Sequence, residues 1–256
     1  MDTLEFLAAA IRDAETVVAL TGAGVSAPSG VPTFRGDDGV WERFDEEQFT
    51  YGRFQRDPAG FWADRLALQR ELYGEDHEPN AAHEALAALA RDGYLDAILT
   101  QNTDGLHGRA AETADGTELV ELHGNAHRVV CADCGRRSDA NPVLERVADG
   151  DLPPRCDCGG VYRPDVVLFG QRLPDDVLRR SRAFARRSDV FLAIGSSLVV
   201  EPAGSLPRRA GETGATVGIV NLDVTPCDAV ADATLREDVT EVLPRLRAAV
   251  EGERGG

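Results

Sequence analysis

Lysine is absent from this sequence of 256 residues, so all 27 basic side chains are arginines. Aromatic residues are also few, at 6%, and no apolar run approaches the roughly 20 residues that a membrane-spanning helix requires. The first residues are acidic, whereas a secretory signal opens with a basic segment. We therefore expect no membrane partner, and we expect a cytoplasmic protein.

Acidic residues outnumber basic ones by 44 to 27, which gives a formal net charge of −17. This charge repels nucleic acid and anionic membranes at long range, although a local basic patch can still bind one. Self-repulsion becomes harmless at molar salt, where the screening length is about 3 Å. The composition thus suits a salt-rich cell interior. A GC-rich genome would also favour arginine over lysine, and stability measured across KCl concentrations separates the two explanations.

The distribution of apolar residues predicts an α/β fold. Hydrophobic residues make up 43% of the chain, enough for a substantial core. Short β-branched runs predict buried strands at 16–20, 95–100, 190–195 and 216–221. Helical periodicity predicts helices at 4–14, 81–91, 177–187 and 239–250. Strands that alternate with helices indicate an open parallel sheet.

Two segments interrupt this alternation. Residues 36–89 are rich in aromatic and charged side chains and predict a helical insertion, whereas residues 126–163 contain four of the five cysteines and form a separate small module. The parallel-sheet domain is then discontinuous. Its expected parts are 1–35, 90–125 and 164–250, and residues 251–256 are expected to form a tail.

A glycine-rich loop follows the first predicted strand, with the sequence G-A-G-V-S-A-P at 22–28. Two glycines at this point allow the backbone to approach a phosphate group closely. The loop departs from the usual G-x-G-x-x-G fingerprint because Ala27 stands where the third glycine belongs. Taken alone, it is equally typical of a tight turn between strand and helix.

Six further motifs follow along the chain. They are P-T-F-R at 32–35, with G-V-W shortly after it, Q-N-T-D-G-L-H at 101–107, E-L-H-G-N at 121–125, R-P-D-V-V-L-F-G at 163–170, G-S-S-L-V-V-E-P at 195–202 and N-L-D at 221–223. Together with the glycine-rich loop, and in this order, they resemble the sirtuin family, the NAD-dependent protein-lysine deacylases. The resemblance covers nearly the whole chain.

This resemblance implies a Rossmann-like domain that binds NAD as co-substrate. In the family the glycine-rich loop holds the pyrophosphate and the Q-N-x-D loop holds the nicotinamide end, while Asn221 and Asp223 are acceptors suited to the adenosine ribose. The NAD-binding residues implied in this way are Gly22, Ala23, Gly24, Ser26, Thr33, Phe34, Arg35, Trp41, Gln101, Asn102, Thr103, Asp104, Gly195, Ser196, Ser197, Asn221, Leu222, Asp223 and Val239.

The predicted catalytic residues are His123, Asn102 and Asp104. Imidazole has an ordinary pKa of about 6.5 and is well suited to move protons near neutral pH. By resemblance, His123 is the general base. In the family the acyl oxygen attacks the ribose as nicotinamide leaves, and this histidine then activates a ribose hydroxyl, so that O-acyl-ADP-ribose is formed.

Four cysteines form two pairs, Cys131 with Cys134 and Cys156 with Cys158. Two pairs across a short insert are typical of a structural zinc site closed to substrate, and a cytoplasmic compartment disfavours disulfides. The second pair departs from the family because it is C-x-C, and one residue fewer makes ligation of the same ion by both cysteines tighter. Two glycines that follow, Gly159 and Gly160, supply a turn that relieves this. A disulfide or a degenerate site is the alternative.

Substrate choice is indicated by F-W-A-D-R at 61–65. Sirtuins that remove acidic acyl groups carry F-Y-x-x-R here, so this chain keeps Arg65 and replaces the tyrosine with Trp62. Thr33 is also found in that subset. The alternative is an Arg65 that simply faces water. The predicted substrate-binding residues are Trp62, Arg65, Val167, Leu168, Phe169, Gly170, Leu198 and Val199, the last six in two extended segments between which a peptide adds as a strand.

The expected partner is an acylated protein or peptide, and contact with nucleic acid is expected only indirectly, through an acylated chromatin protein. We expect a monomer. Two other functions use the same motifs: transfer of ADP-ribose to a protein, and NAD sensing without turnover. Nicotinamide release that depends on an acyl peptide discriminates the three.

Overall fold

The computed structural model describes residues 2–34, 39–111 and 117–252. In chain order, the strands are β1 (Val17–Thr21), β2 (Ala97–Thr100), β3 (Glu118–Glu121), β4 (Gly124–Cys131), β5 (Arg137–Asp139), β6 (Tyr162–Val166), β7 (Val190–Ile194), β8 (Thr216–Val220) and β9 (Ala233–Leu235). The α-helices are α1 (Thr3–Asp13), α2 (Ala23–Ser26), α3 (Tyr51–Arg56), α4 (Pro58–Tyr73), α5 (Ala81–Arg91), α6 (Leu106–Ala110), α7 (Ala140–Ala148), α8 (Asp175–Arg187), α9 (Leu206–Glu212) and α10 (Val239–Glu251).

Six strands form the large sheet, in the order β3-β2-β1-β7-β8-β9, and all of their pairings are parallel. Every residue of β1 and β7 is buried, as expected for strands covered by helices on both faces. From β1 the chain first adds β2 and β3 on one side, and later β7, β8 and β9 on the other. The direction of strand addition therefore reverses between β1 and β7. An open α/β sheet binds its ligand at such a point, beyond the carboxyl ends of the strands. The predicted parallel α/β sheet is confirmed.

Helices cover both faces of this sheet. Side chains of α1, α5 and α10 share one core with the sheet, and side chains of α8 and α9 share the other. Helix α5 begins as predicted, because the Asn80 side chain accepts hydrogen bonds from the backbone amides of Ala82 and His83. The expected insertion of 36–89 includes this helix, yet its buried face packs against the large sheet. Packing therefore favours an insertion that ends near residue 80.

The second body combines the two interrupting segments. Helix α4 contributes Phe61, Trp62 and Leu68 to a core that it shares with the small antiparallel sheet, ordered β5-β4-β6. The helical insertion and the cysteine module are thus joined by one hydrophobic core. The strands of the small sheet also extend beyond 126–163, since β4 begins at Gly124 and β6 continues to Val166.

The final helix, α10, reaches Glu251, so the expected tail begins within its last turn, and residues 253–256 lie outside the described part. Within the described ranges, no helix is both long and apolar enough to cross a membrane.

Candidate active site

The loops that follow β1 and β7 lie in direct contact. The Gly24 amide donates to the carbonyl oxygen of Gly195 at 2.8 Å. A Cβ atom on Gly22 would lie 2.7 Å from that oxygen, and one on Gly195, where φ is +57°, would lie 2.6 Å from the Val25 nitrogen. The glycines of both motifs are therefore required by this contact between loops, as well as by any ligand that lies over them. Ala23 begins α2 at the same place.

Asn102 lies at the bottom of this crevice, two residues after the end of β2, and is buried. Its Nδ2 atom donates to the Gly22 carbonyl oxygen and to the Ser26 hydroxyl, both at 3.0 Å. Its backbone amide donates to Thr100 Oγ1 at 3.1 Å. These bonds fix the orientation of the amide plane and use both hydrogens of Nδ2. The Oδ1 atom thus remains available as an acceptor.

The Ser26 hydroxyl has a second partner, His83, at 3.3 Å from Nε2. The backbone amide of Asn80 donates to His83 Nδ1 in the capping box at the start of α5. Nδ1 therefore lacks hydrogen, and Nε2 must be the donor to Ser26. Burial lowers the pKa of His83 to about 4, against the smaller opposing effect of Asp104, so the ring is neutral. Ser26 accepts from both His83 and Asn102, which leaves its hydroxyl hydrogen for a further acceptor.

A second buried histidine packs against the first. The rings of His83 and His107 lie 4.8 Å apart, and His107 Nε2 is 2.9 Å from the Thr21 hydroxyl. Burial, with a smaller contribution from the neighbouring His83, lowers the pKa of His107 to about 3. Both rings are thus neutral near pH 7, and they contact Ser26 and Thr21 beneath the crevice.

His123 lies at the junction between β3 and β4, where it is partly exposed. Its Nδ1 atom is 2.9 Å from the carbonyl oxygen of Gln101. A carbonyl oxygen only accepts, so Nδ1 carries the hydrogen and Nε2 is the basic atom. Burial lowers the pKa of His123, although the bond to Gln101 acts in the opposite direction. The ring is therefore a neutral base with Nε2 free of any protein partner among the described residues.

Gln101 and His123 connect the two segments predicted to bind a peptide. Gln101 Nε2 donates to the Ser196 hydroxyl at 2.7 Å, and the Val167 amide donates to the His123 carbonyl oxygen at 2.9 Å. Leu198 adopts a left-handed conformation, with φ of +56°, which is uncommon outside glycine and costs free energy. One segment is thus bonded to Gln101, which contacts the His123 ring, and the other is bonded to the His123 backbone.

The exposure of residues along these two segments alternates. Val199 is 58% exposed and Ser197 is exposed, whereas Leu198 and Leu168 are buried. On the other segment, the Phe169 carbonyl oxygen accepts from the Tyr51 amide at 3.0 Å. Gly170 is exposed and has φ of +79°.

Aromatic rings join the P-T-F-R loop to the Phe169 segment. Trp41 stacks on Phe34 with centroids 5.7 Å apart, and it meets Phe169 edge-on at 5.2 Å. The backbone of Thr33 accepts from the Val40 amide at 2.9 Å. Arg35, predicted to bind NAD, lies outside the described residues. One aromatic contact therefore links a predicted NAD loop to a predicted peptide segment.

The Asp104 carboxylate turns back on its own chain. It accepts from the Leu106 amide at 2.8 Å and lines a small polar cavity with Asn102, His107 and Glu121. The neighbouring Thr103 hydroxyl is 2.9 Å from the Tyr73 hydroxyl. Direct contact of Asp104 with a ligand stays a prediction.

The predicted adenosine-binding residues follow β8. Asn221 Nδ2 donates to the Asp223 carbonyl oxygen at 2.9 Å, and the side chain of Leu222 is 66% exposed. Asp223 is also exposed. Val239, by contrast, begins α10 and buries its side chain in the large-sheet core, so only its backbone is available to a ligand.

Trp62 and Arg65 are both buried in the second body, at 1% and 6% exposure. Trp62 Nε1 donates to the Tyr162 carbonyl oxygen at 2.7 Å, so this N–H already has an acceptor within the protein. Arg65 donates to Gln69 Oε1 at 2.8 Å and makes no ion pair with any described carboxylate. The alternative of an Arg65 that faces water is wrong, because packing of α4 against the small sheet buries this position.

The sulphur atoms of Cys131, Cys134, Cys156 and Cys158 lie within 4.8 Å of one another. The distance is 3.6 Å between Cys131 and Cys158 and 3.9 Å between Cys134 and Cys156. Tetrahedral zinc with bonds of about 2.3 Å requires sulphurs about 3.8 Å apart. All four thiols are free, and their arrangement fits one zinc ion.

The C-x-C pair reaches the same point through the predicted turn. The Gly159 amide donates to the Cys156 carbonyl oxygen, the Cys156 amide donates to that of Gly160, and both bonds are 2.8 Å long. Gly159 has φ of +89°, and a Cβ atom on Gly160 would lie 2.7 Å from the Cys131 sulphur. A tight turn of two glycines therefore compensates for the missing residue.

Sequence reasoning missed the face of α4 that meets the Q-N-T-D loop. Gln69 Nε2 donates to the Ala126 carbonyl oxygen at 3.2 Å, and Tyr73 reaches Thr103. With Arg65 these polar side chains recur every four residues, which places them on one helix face. That spacing is the signal that could have identified them.

Comparison with known proteins agrees with this geometry. The Sir2 family model matches residues 22–202. An NAD-dependent protein deacetylase of Haloarcula marismortui is 60% identical over 248 residues, which cover 96% of this chain and 94% of that protein. NAD-dependent protein deacylase 2 of Archaeoglobus fulgidus is 39% identical over 96% of this chain and 95% of its own.

Solved structures support the same assignment. A Sir2 structure with a deacetylated p53 peptide and 3'-O-acetyl ADP-ribose superposes with a TM-score of 0.85, at 35% identity. The alignment covers 98% of this chain and 99% of that one. A family model that matches most of the chain, relatives of this identity and a shared fold lead to one conclusion: the chain belongs to the Sir2 family.

Proposed function

We propose that this protein removes acyl groups from lysine side chains of proteins and peptides in an NAD-dependent reaction. The observation that carries the proposal is the His123–Gln101 hydrogen bond, which leaves a neutral imidazole with a free Nε2 beside the crevice. The names of the relatives and the contents of the Sir2 complex support the same activity.

The crevice has the features that NAD requires. Gly22, Gly24 and Gly195 expose backbone where the loops after β1 and β7 meet. Below them, Asn102 keeps Oδ1 free and Ser26 keeps a hydroxyl hydrogen, so one acceptor and one donor point away from their protein partners. When bound, NAD supplies a ribose carbon that accepts the acyl oxygen as nicotinamide departs.

The step assigned to His123 is proton transfer at Nε2. The hydrogen on Nδ1 stays with the Gln101 carbonyl oxygen throughout, and this bond also holds the plane of the ring. The resulting imidazolium is stabilised by the same carbonyl, since the hydrogen bond strengthens when the ring is charged. Removal of a general base of this kind typically lowers the rate by about 10²–10⁴-fold.

The four cysteines hold zinc for structure. Cys131 and Cys156 lie in the core shared by the insertion and the small sheet, whereas Cys134 and Cys158 are exposed. An ion bound by all four has no open coordination position.

Arg65 extends the substrate range to acyl groups with a carboxylate. A buried guanidinium without an anionic partner is costly, and burial lowers the pKa of Arg65. A carboxylate on the acyl chain provides the missing charge. Because Trp62 Nε1 is bonded to Tyr162, Arg65 acts without a second donor from that side chain. We therefore expect that acetyl-lysine is hydrolysed and that succinyl-lysine is also accepted.

The cellular setting is part of the proposal. We infer a monomer that acts in a salt-rich cytoplasm, where the charge of −17 is screened. Contact with nucleic acid is then only indirect, through acylated proteins that bind it.

The test is nicotinamide release with and without acetyl-lysine peptide. A deacylase releases nicotinamide only with the acyl peptide and forms O-acyl-ADP-ribose in equal amount. Label from NAD that stays on a protein would indicate ADP-ribosyl transfer instead, and binding without release would indicate a sensor.

A further inference from the structure

One arginine connects the two sheets of the molecule. Arg128, on β4, donates through Nη2 to Glu121, the last residue of β3 in the large sheet. Its Nε atom donates to Asp165 Oδ2 at 3.1 Å, and Asp165 lies on β6 of the small sheet. A single guanidinium therefore spans the boundary between the two bodies.

The partners of Arg128 are more shielded than those of a surface pair. The Asp165 side chain is 9% exposed and also accepts from Arg137 Nε at 2.8 Å. The Glu121 side chain is 21% exposed. In the pair between Arg180 and Glu118, at the other end of β3, the two side chains are 47% and 42% exposed. Shielding and a shared network give the bridge a defined geometry, which isolated exposed pairs lack.

Both carboxylates bound by Arg128, Glu121 and Asp165, lie close to His123. Glu121 precedes His123 by two residues, and two residues after Asp165 the Val167 amide donates to the His123 carbonyl oxygen at 2.9 Å. Between them Gly124 pairs with Val166. Both carboxylates held by Arg128 thus belong to the strands that fix the backbone of His123.

The same segment also contacts the loop that orients the His123 ring. Asn125 Nδ2 donates to Glu121 Oε1 at 2.7 Å, and the Ala126 amide donates to the Thr103 carbonyl oxygen at 2.8 Å. Movement of Glu121 away from Arg128 would therefore shift the segment relative to Gln101, whose carbonyl holds Nδ1 of His123.

We propose that Arg128 is a positioning residue for His123, and that it acts by joining Glu121 to Asp165 across the two sheets. This inference rests on the proposed function, because it takes His123 as the base that acts after nicotinamide leaves. Loss of this positioning is expected to slow the deacylation step that His123 catalyses and to leave nicotinamide cleavage unchanged.

The experiment compares Arg128→Gln with Arg180→Gln. This matched control removes the same charge from an exposed pair whose carboxylate, Glu118, lies on the same strand as Glu121. Deacylation at saturating NAD and acetyl peptide is expected to fall about tenfold or more in Arg128→Gln, since small misplacements of catalytic groups have effects of this size. The KM for NAD and the exchange of labelled nicotinamide into NAD are expected to stay within about twofold. Arg180→Gln is expected to match the parent in all three.

A second set of variants tests the route. Asp165→Asn is expected to lower deacylation in the same way, and the double variant with Arg128→Gln is expected to lose no more than the worse single variant. Arg128→Lys keeps the charge without the two-sided fork and is expected to be intermediate, which also provides a test if Arg128→Gln does not fold.

The inference is overturned if Arg128→Gln deacylates like Arg180→Gln, if exchange falls as much as deacylation, or if the double variant shows additive losses. These outcomes differ from failure of the proposed function. If the proposed function fails, the parent protein itself shows no nicotinamide release that depends on an acyl peptide.

Discussion

His123 Nδ1 lies 2.9 Å from the carbonyl oxygen of Gln101, and this distance fixes which nitrogen of the ring takes a proton. The carbonyl holds the hydrogen on Nδ1, so Nε2 is the base. Gln101 also donates to Ser196 through its side chain, so one residue contacts both His123 and the loop after β7.

The first prediction concerns pH. The base must be neutral, so activity is lost as pH falls through the pKa of His123. Burial lowers this pKa below the ordinary value of about 6.5. We therefore expect the acid limb of kcat/KM for acetyl peptide to have its midpoint below 6.5. The profile is measured with initial rates between about pH 5 and pH 8. An acid midpoint above 6.5 would contradict the assigned environment of the ring.

Asn102→Ala is predicted to impair nicotinamide cleavage itself. The substitution removes the bonds to the Gly22 carbonyl oxygen and the Ser26 hydroxyl, and it removes the free Oδ1 acceptor. Exchange of labelled nicotinamide into NAD is expected to fall at least about tenfold. Asn141→Ala, at an exposed position on α7, is the control and should exchange at the parent rate. Exchange at the parent rate in Asn102→Ala would contradict a role for Asn102 in nicotinamide cleavage.

The zinc prediction concerns metal content and the order of unfolding. We expect about one equivalent of zinc, and strong chelation should disrupt the second body before the large sheet. Trp62 reports this loss by its fluorescence, because it shares a core with Cys131 and Cys156 and bonds to Tyr162. A metal-free preparation with full activity and unchanged fluorescence would reject a structural zinc site.

Arg65→Met is predicted to alter acyl preference. Without the guanidinium, kcat/KM for succinyl peptide should fall at least about tenfold, which is 1.4 kcal/mol in transition-state binding, while acetyl peptide stays within a few-fold. Arg70→Met is the control, since Arg70 is exposed on the same helix. Equal losses for both peptides would show that Arg65 stabilises α4 and does not contact the acyl chain.

The central strands could be predicted because their sequences are continuous apolar runs. The edge strands β3 and β9 were not predicted, since their short sequences, E-L-V-E and A-T-L, contain no continuous apolar run and the strands exist through pairing with distant segments. The helix start at Asn80 was predictable, because a side-chain cap is a local interaction. The packing of α5 on the large sheet depends on tertiary contacts that a local pattern does not contain.

In the site, the motifs identified the loops but gave little about hydrogen bonding between them. The contact of Gly24 with Gly195 and the bonds of Asn102 join segments that are far apart in the chain. Arg65 could not be placed either, because the burial of one charged residue on α4 depends on how the second body packs around it. The sequence patterns therefore predicted which loops meet, and the structure provides the donors and acceptors.

The most direct test of the account is a pair of measurements on His123→Ala: NAD binding by calorimetry and deacylation of acetyl peptide in a single turnover. If Nε2 of His123 is the base, NAD affinity stays near that of the parent, and the deacylation rate falls by about 10²–10⁴-fold. Weaker NAD binding with a parent-like deacylation rate would contradict the central claim.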